Sequence, residues 1–158
     1  MRYLAKRVER ICDELYRLRI VQRMEWTERG PVRATLEIER KVSRSVICQK
    51  IHFYAACPRI DFETTVDWKE HQHLLKVHFP MDVHTDEATF EIQFGNVTRK
   101  THQNTSWDQA RFESCGQKWI DVSEGHYGIS LLNDCKYGHS VHNGEMALTL
   151  IKSGTEPN

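Results

Sequence analysis

From Val32 onward the sequence alternates with a period of two. Val32, Ala34, Leu36 and Ile38 are apolar, and Arg33, Thr35, Glu37 and Glu39 between them are polar. Successive side chains of an extended chain point to opposite faces, so such a segment buries one face and wets the other. Residues 46–54 are rich in β-branched and aromatic side chains and read as the hairpin partner of this strand. Pro58 interrupts, and 60–68 alternates again. Residues 74–79 end at Pro80 and 89–94 end at Gly95, and further strands are expected at 110–114, 117–122, 127–132 and 146–152. Short strands separated by turn signals, with no internal repeat, predict an all-β fold: an antiparallel sandwich or barrel.

The first 20 residues follow another rule. Leu4, Val8, Ile11, Leu15 and Leu18 recur at steps of four and three, with Arg and Glu on the other face and no Pro or Gly between them. That is an amphipathic helix pattern, with a linker or extended strand as the competing reading. The expected organisation is a helix or linker over 1–24 and a β-domain over 25–158, with Gly30-Pro31 as a turn. The last residues, 153–158, read as a loop that stops without a closing strand.

Charge narrows the function. Lys+Arg and Asp+Glu both number 22 in 158 residues, giving a formal net charge of zero and a pI near 7.1. This balance offers no electrostatic steering toward nucleic acid or an anionic membrane. No apolar run approaches the ~20 residues of a membrane span, and Met1-Arg-Tyr-Leu-Ala-Lys-Arg7 lacks the apolar core of a signal peptide. Cys12, Cys48, Cys57, Cys115 and Cys135 are odd in number and widely spaced. Reduced thiols in a cytoplasmic protein are therefore expected. Asn96-Val-Thr98 and Asn104-Thr-Ser106 fit the glycosylation pattern, but without a secretion signal they read as chance matches.

Between His71 and His142 the loops are crowded with Asn, Asp, Arg, Trp, Tyr and His, the side chains that bind sugar hydroxyls and stack on sugar faces. His71, His73, His78 and His84 suggest a metal at first sight, but zinc needs ligands that converge on one point. In a strand over 71–79, His71 and His73 share a face and His78 takes the other. The charged run 68–73 reads better as an exposed bend. Glycoside hydrolysis needs two carboxyl groups flanking the scissile bond. Asp61, Glu63 and Asp67 alternate along the polar face of one strand, whereas Asp108, Glu113, Asp121 and Asp134 are scattered, so nothing pairs any two of them.

Two segments are more specific. In Asn104-Thr-Ser-Trp-Asp-Gln-Ala-Arg111, Trp107 can stack on a sugar or pack on a neighbouring domain. Asp108 and Arg111 can bind hydroxyls through charge-assisted hydrogen bonds, or pair with each other. A rigid loop whose Asn and Asp satisfy its own backbone is the competing reading. At 131–138 a buried strand opens into a polar turn carrying Asn133, Asp134, Lys136 and Tyr137, with Gly138 free to take a positive φ. That turn either presents a surface or is turn chemistry alone. Cys135 lies beside Lys136, but no base can be assigned to make it a nucleophile.

The blocks Arg29-Gly-Pro-Val-Arg-Ala34, Ile60-Asp-Phe-Glu-Thr-Thr-Val-Asp-Trp68, His73-Leu-Leu-Lys-Val77, Phe90-Glu-Ile-Gln-Phe-Gly95, Asn104-Thr-Ser-Trp-Asp108 and Leu132-Asn-Asp-Cys-Lys-Tyr-Gly138 resemble the C-terminal region of the family 38 α-mannosidases, cytosolic and bacterial branch. The resemblance covers roughly residues 25–158. It implies a retaining, exo-acting enzyme that trims terminal α-mannose from glycans. In the family, zinc and both catalytic carboxylates lie in an N-terminal α/β barrel, followed by a helical bundle and a β-sandwich of the galactose-mutarotase type. The chain has no counterpart of the barrel, so no zinc ligand, nucleophile or acid/base is assigned within it, and it is expected to begin inside the sandwich region and to stop before its last strands. Family sandwiches pack on the barrel and lend loops to the active-site rim. Trp107, Asp108, Arg111, Asn133, Lys136 and Tyr137 are the rim or domain-interface candidates.

Three functions are therefore carried forward: an inactive scaffold and rim domain of an α-mannosidase, a free-standing carbohydrate-binding module, and a mutarotase-like enzyme in which a His and a carboxylate converge in the sandwich cleft. The expected partners are the catalytic barrel of the same enzyme and, through the whole enzyme, a mannose-containing glycan. An apolar face left uncovered favours self-association, so a homo-oligomer is expected, and a monomer by light scattering at every concentration would contradict it.

Overall fold

The computed structural model describes residues 21–154. The amphipathic pattern of 1–20 and the tail at 155–158 lie outside the described residues. The chain divides into two compact units, 1–71 and 72–158.

The first unit contains an antiparallel meander of β1 (Val21–Arg29), β2 (Arg33–Val42), β3 (Ser45–Tyr54) and β4 (Ile60–Asp67), in that spatial order. The register sets Trp26 opposite Leu36 and Leu36 opposite Ile51. The apolar positions of neighbouring strands therefore fall on one face. Leu36, Ile38, Ile51 and Phe53 are buried there, with Val21, Met24, Trp26 and Ile60 packed around them. Trp26 and Phe53 meet at 6.1 Å between ring centroids, tilted by 49°. Val32, which begins the alternation in sequence, lies ahead of β2 and is 73% exposed. On the other face Thr35 is buried because its hydroxyl has partners: Oγ1 donates to Glu28 Oε2 at 2.9 Å and lies 3.0 Å from His52 Nδ1.

The charged run after β4 is a bend, but one of its acids is not exposed. Glu70 is buried, and its Oε1 accepts from Ser45 Oγ and from Arg44 N–H, each at 2.8 Å. Ser45 Oγ in turn accepts from Lys69 N–H at 2.8 Å, which fastens the bend to the β2–β3 turn. The Ser45 hydroxyl and the Arg44 backbone N–H hold the Glu70 carboxyl below the ordinary glutamate range. A depressed folded-state pKa contributes stability that is present above the ordinary value and lost as pH falls through the folded one. Thermal unfolding followed against pH should therefore show an acid limb below the ordinary glutamate range that is flatter in Glu70→Gln, which keeps the acceptor oxygen and loses the charge. Superimposable acid limbs would contradict this role.

The second unit is a two-sheet antiparallel sandwich. One sheet has the order β10-β9-β6-β7, from β6 (Glu87–Ile92), β7 (Gly95–Lys100), β9 (Trp119–Glu124) and β10 (Tyr127–Leu132). The other has the order β5-β12-β11-β8, from β5 (Leu74–Pro80), β8 (Ser114–Cys115), β11 (Gly138–His142) and β12 (Glu145–Lys152). Val83, Ala88, Phe90, Ile120, Val122 and Met146 are buried between them. The all-β expectation holds, and no helix of the described residues is long and apolar enough to cross a membrane. Hairpin turns carry the residues their geometry demands. Asn143 (φ 51°) and Gly144 (φ 73°) sit between β11 and β12, the Asn-Gly pair of a turn with two positive φ angles.

Several boundaries differ from the sequence reading. The strand expected at 110–114 is instead a short helix, α1 (Ser106–Ala110), followed by the two-residue β8. A capping box decides this: Asp108 N–H donates to Thr105 Oγ1 at 3.2 Å while Thr105 N–H donates to Asp108 Oδ2 at 3.1 Å. The strand expected at 89–94 is shifted to 87–92, and Phe94 stands in the turn, fully exposed, with φ 63°. Strands β1, β7 and β11 were not anticipated, and β1 begins at Val21. Strand β11 hid because its core position is a histidine. His139 is fully buried with its ring edge on Phe90, 6.5 Å and 82° apart. Burial pushes its pKa down, so the ring is neutral, and Nδ1 lies 3.2 Å from the Tyr137 carbonyl, which accepts from it.

Candidate functional site

A cleft of about 260 Å³ opens in the second unit. Three stretches of chain line it: Arg99 to Gln103 at the end of β7, Asp108 to Phe112 around α1, and Ser140 to Asn143 at the end of β11. Phe90, Val141 and Ala147 form its apolar lining.

Arg99 stands opposite Ala88 in the β6–β7 ladder, on the same face as Phe90 and Val97. Its guanidinium lies 4.4 Å from the centre of the Phe90 ring, a cation–π contact at the margin of the core. Nη1 is buried and meets no protein acceptor. Burial is also the main reason its pKa is lowered, with the neighbouring Arg111 charge acting in the same direction. His102 Nδ1 is likewise buried without a hydrogen bond, 3.6 Å from Asp108 Oδ2. Asp108 is occupied with capping α1, and the Thr105 hydroxyl is the chief cause that holds its carboxyl below the ordinary aspartate range. His142 Nδ1 lies 2.9 Å from the Thr101 carbonyl, and His78 Nδ1 lies 3.1 Å from Glu145 Oε2.

Of the six residues singled out from sequence, two reach this cleft: Asp108 and Arg111. Trp107 stands on α1, 76% exposed, and is not part of the lining. The 133–137 turn lies apart from the lining. Asn133 there holds the turn in place, with Oδ1 accepting from Lys136 N–H at 2.8 Å and Nδ2 donating across to the Gln117 carbonyl at 2.8 Å. Lys136 and Tyr137 are exposed beside it, as is the Cys135 thiol. Sequence reasoning missed Arg99, His102 and His142. The available signal was Val97-Thr-Arg-Lys-Thr-His102, where Arg99 falls on the buried phase of a strand.

The two carboxylates of the cleft, Asp108 and Glu145, are already engaged by Thr105 and His78, and neither faces a partner across an open gap. Two further acids hold local structure: Asp61 accepts from Tyr54 Oη at 2.8 Å and Arg59 Nη2 at 3.0 Å, and Asp121 accepts from Ser123 and Ser130. Among the described residues no group of three or more His, Cys, Asp or Glu could hold a metal ion. The donor set does not fit zinc.

The chain is similar to several known proteins. The family model described as the glycosyl hydrolases family 38 C-terminal domain matches residues 7–158. Alpha-mannosidase G of Dictyostelium discoideum is 43% identical over 140 residues, covering 82% of this chain and 12% of its own length. Human alpha-mannosidase 2C1 is 46% identical over 113 residues, covering 72% of this chain and 11% of its own. The crystal structure of an alpha-mannosidase from Enterococcus faecalis V583 superposes with a TM-score of 0.71 over 87% of this chain and 19% of that one, at 18% identity, a likeness of fold. The chain thus spans about an eighth or less of the length of the curated relatives it matches, and about a fifth of the solved one. With a family model matched over nearly its whole length and the strand architecture shared with a solved α-mannosidase, this chain belongs to glycosyl hydrolase family 38, through the C-terminal domain of that family.

Proposed function

We propose that the chain serves as a C-terminal scaffold and rim domain of a retaining exo-α-mannosidase that removes terminal α-mannosyl residues from glycans in the cytoplasm. Zinc, nucleophile and acid/base belong to a barrel domain of the same enzyme outside these residues. The observation that supports this reading is a family 38 match without a catalytic donor set: the cleft holds no facing carboxylate pair, and the described residues offer no metal cluster. Trp107 and Asp108 on α1 and Arg111 at its end are the candidates for the glycan-facing rim. Asn133, Lys136 and Tyr137 form a separate turn suited to the domain interface.

A mutarotase-like reading has one observation in its favour, since two His–carboxylate pairs line the cleft. Each pair is closed, at 3.1 Å for His78–Glu145 and 3.6 Å for His102–Asp108. A sugar ring has no room between the partners, so the general acid and base of anomer interconversion do not flank a substrate. The binding-module reading is tested by calorimetric titration of the 158-residue chain with mannose and α-mannobiose. A rim contributes only part of a subsite, so no saturable heat is expected up to millimolar sugar. Saturable binding at about 1 mM or tighter, roughly 4 kcal/mol of affinity, would make the chain a module in its own right.

A further inference from the structure

The cleft carries more positive hydrogen-bonding capacity than the protein itself uses. Arg99 buries a guanidinium nitrogen with no protein acceptor, and among the described residues neither Arg99 nor Arg111 has a carboxylate within ion-pair distance. A buried donor left unsatisfied costs about 1–3 kcal/mol, and more when it is charged. Stacking on Phe90 recovers part of that cost through the ring face, but it does not satisfy Nη1. His102 Nδ1 at the same cleft is also buried without a hydrogen bond, but it faces Asp108 Oδ2 at 3.6 Å and is not spare. Arg111, exposed on the loop after α1, brings a second guanidinium to the opening. Two guanidinium groups that face one space repel each other, and an anion between them reverses the sign of that interaction. Guanidinium groups also match phosphate and carboxylate geometry through paired N–H donors.

We propose that this cleft is an oxyanion site, taking the phosphate or carboxylate group of a small molecule between Arg99 and Arg111. Asp108 and Glu145 at the same opening carry negative charge that works against an anion, and the hydrogen bonds from Thr105 and His78 offset it only in part, so the two guanidinium groups have to outweigh them. The volume of about 260 Å³ leaves room beyond the anion for a group the size of one sugar ring. The site stands on the geometry of the second unit alone and is independent of the mannosidase assignment.

The test is an NMR titration of the 158-residue chain at constant ionic strength, with sodium chloride replaced stepwise by inorganic phosphate, by a hexose 6-phosphate or by acetate, and with the free hexose as a fourth arm. Saturable shifts are expected at the amides of 99–111 and 140–143 with the anions and not with the free hexose. Tighter binding of the hexose phosphate than of inorganic phosphate would identify a sugar ester as the source of the anion. Equal binding would identify the free ion. Arg111→Gln should weaken binding about tenfold, the loss of one charge-assisted hydrogen bond, whereas Lys50→Gln on β3 should leave it unchanged. Arg99→Gln should do the same as Arg111→Gln, and Arg111→Gln decides the matter should the Arg99 variant unfold. No saturable shift with any anion, or unaltered affinity in Arg111→Gln, would overturn the proposal.

Discussion

Phe90→Ala should cost the second unit about 3–5 kcal/mol, the range for emptying a buried aromatic site. Phe90 is 3% exposed and sits in β6 between Val97 on one neighbouring strand and Ile120 on the other. Its ring also joins the two sheets, because the buried His139 of β11 meets it edge-on. Arg99 loses its platform in the same substitution, adding about 0.5–2 kcal/mol of cation–π interaction. Domains are stable by only about 5–15 kcal/mol, so a loss of this size brings the unit close to unfolding at ordinary temperature. Urea unfolding measures it as a lower midpoint with an unchanged slope. Phe90→Leu keeps most of the volume and should cost less than about 1.5 kcal/mol. If alanine costs no more than leucine, the sandwich core is organised around some other residue.

In the first unit the corresponding residue is Phe53, 1% exposed on β3 and in ring contact with Trp26. Phe53→Ala removes the largest fully buried side chain of the described residues and the aromatic pair with it. The expected loss is again about 3–5 kcal/mol, of which the ring pair itself accounts for about 0.5–1.5 kcal/mol. Two readouts separate this from a general loosening. Stability falls in denaturant, and the emission of Trp26 moves to the red as water reaches the vacated face. A Trp26→Phe background identifies that component among the other tryptophans. A loss below about 1 kcal/mol would mean that the face carrying Leu36, Ile38 and Ile51 is not a core.

What could be read from the sequence was the part governed by period-two burial. The alternation of Leu36 and Ile38 placed β2, and β3, β4, β5, β10 and β12 fell close to their expected spans. The failures have physical causes. Strand β7 reads Gly-Asn-Val-Thr-Arg-Lys, with a single apolar residue, because its second inward position is Arg99 lying on an aromatic ring. Strand β11 buries a neutral histidine where a pattern reader looks for an aliphatic one. The 110–114 segment has residues compatible with a strand, yet the Thr105–Asp108 capping box diverts the chain into a helical turn first. Glu70 looked solvated because its donors, Ser45 and the Arg44 backbone, come from a distant turn. The candidate site divided along the same line. Local loop chemistry pointed to Asp108 and Arg111, whereas Arg99, His102 and His142 join them only through the sandwich packing, which no local pattern encodes.

Placing the chemistry outside this chain has a direct consequence for activity. Two carboxyl groups must flank a glycosidic bond for its hydrolysis, and Asp108, Asp61 and Glu145 are committed to a cap, a tyrosine hydroxyl and an ion pair. The most direct measurement is release of the aryl group from an aryl α-mannoside by purified residues 1–158, with and without added zinc. No release above the buffer rate is expected in either condition, under assay conditions in which a complete family 38 α-mannosidase is active. Zinc-dependent turnover by the 158-residue chain alone would contradict it.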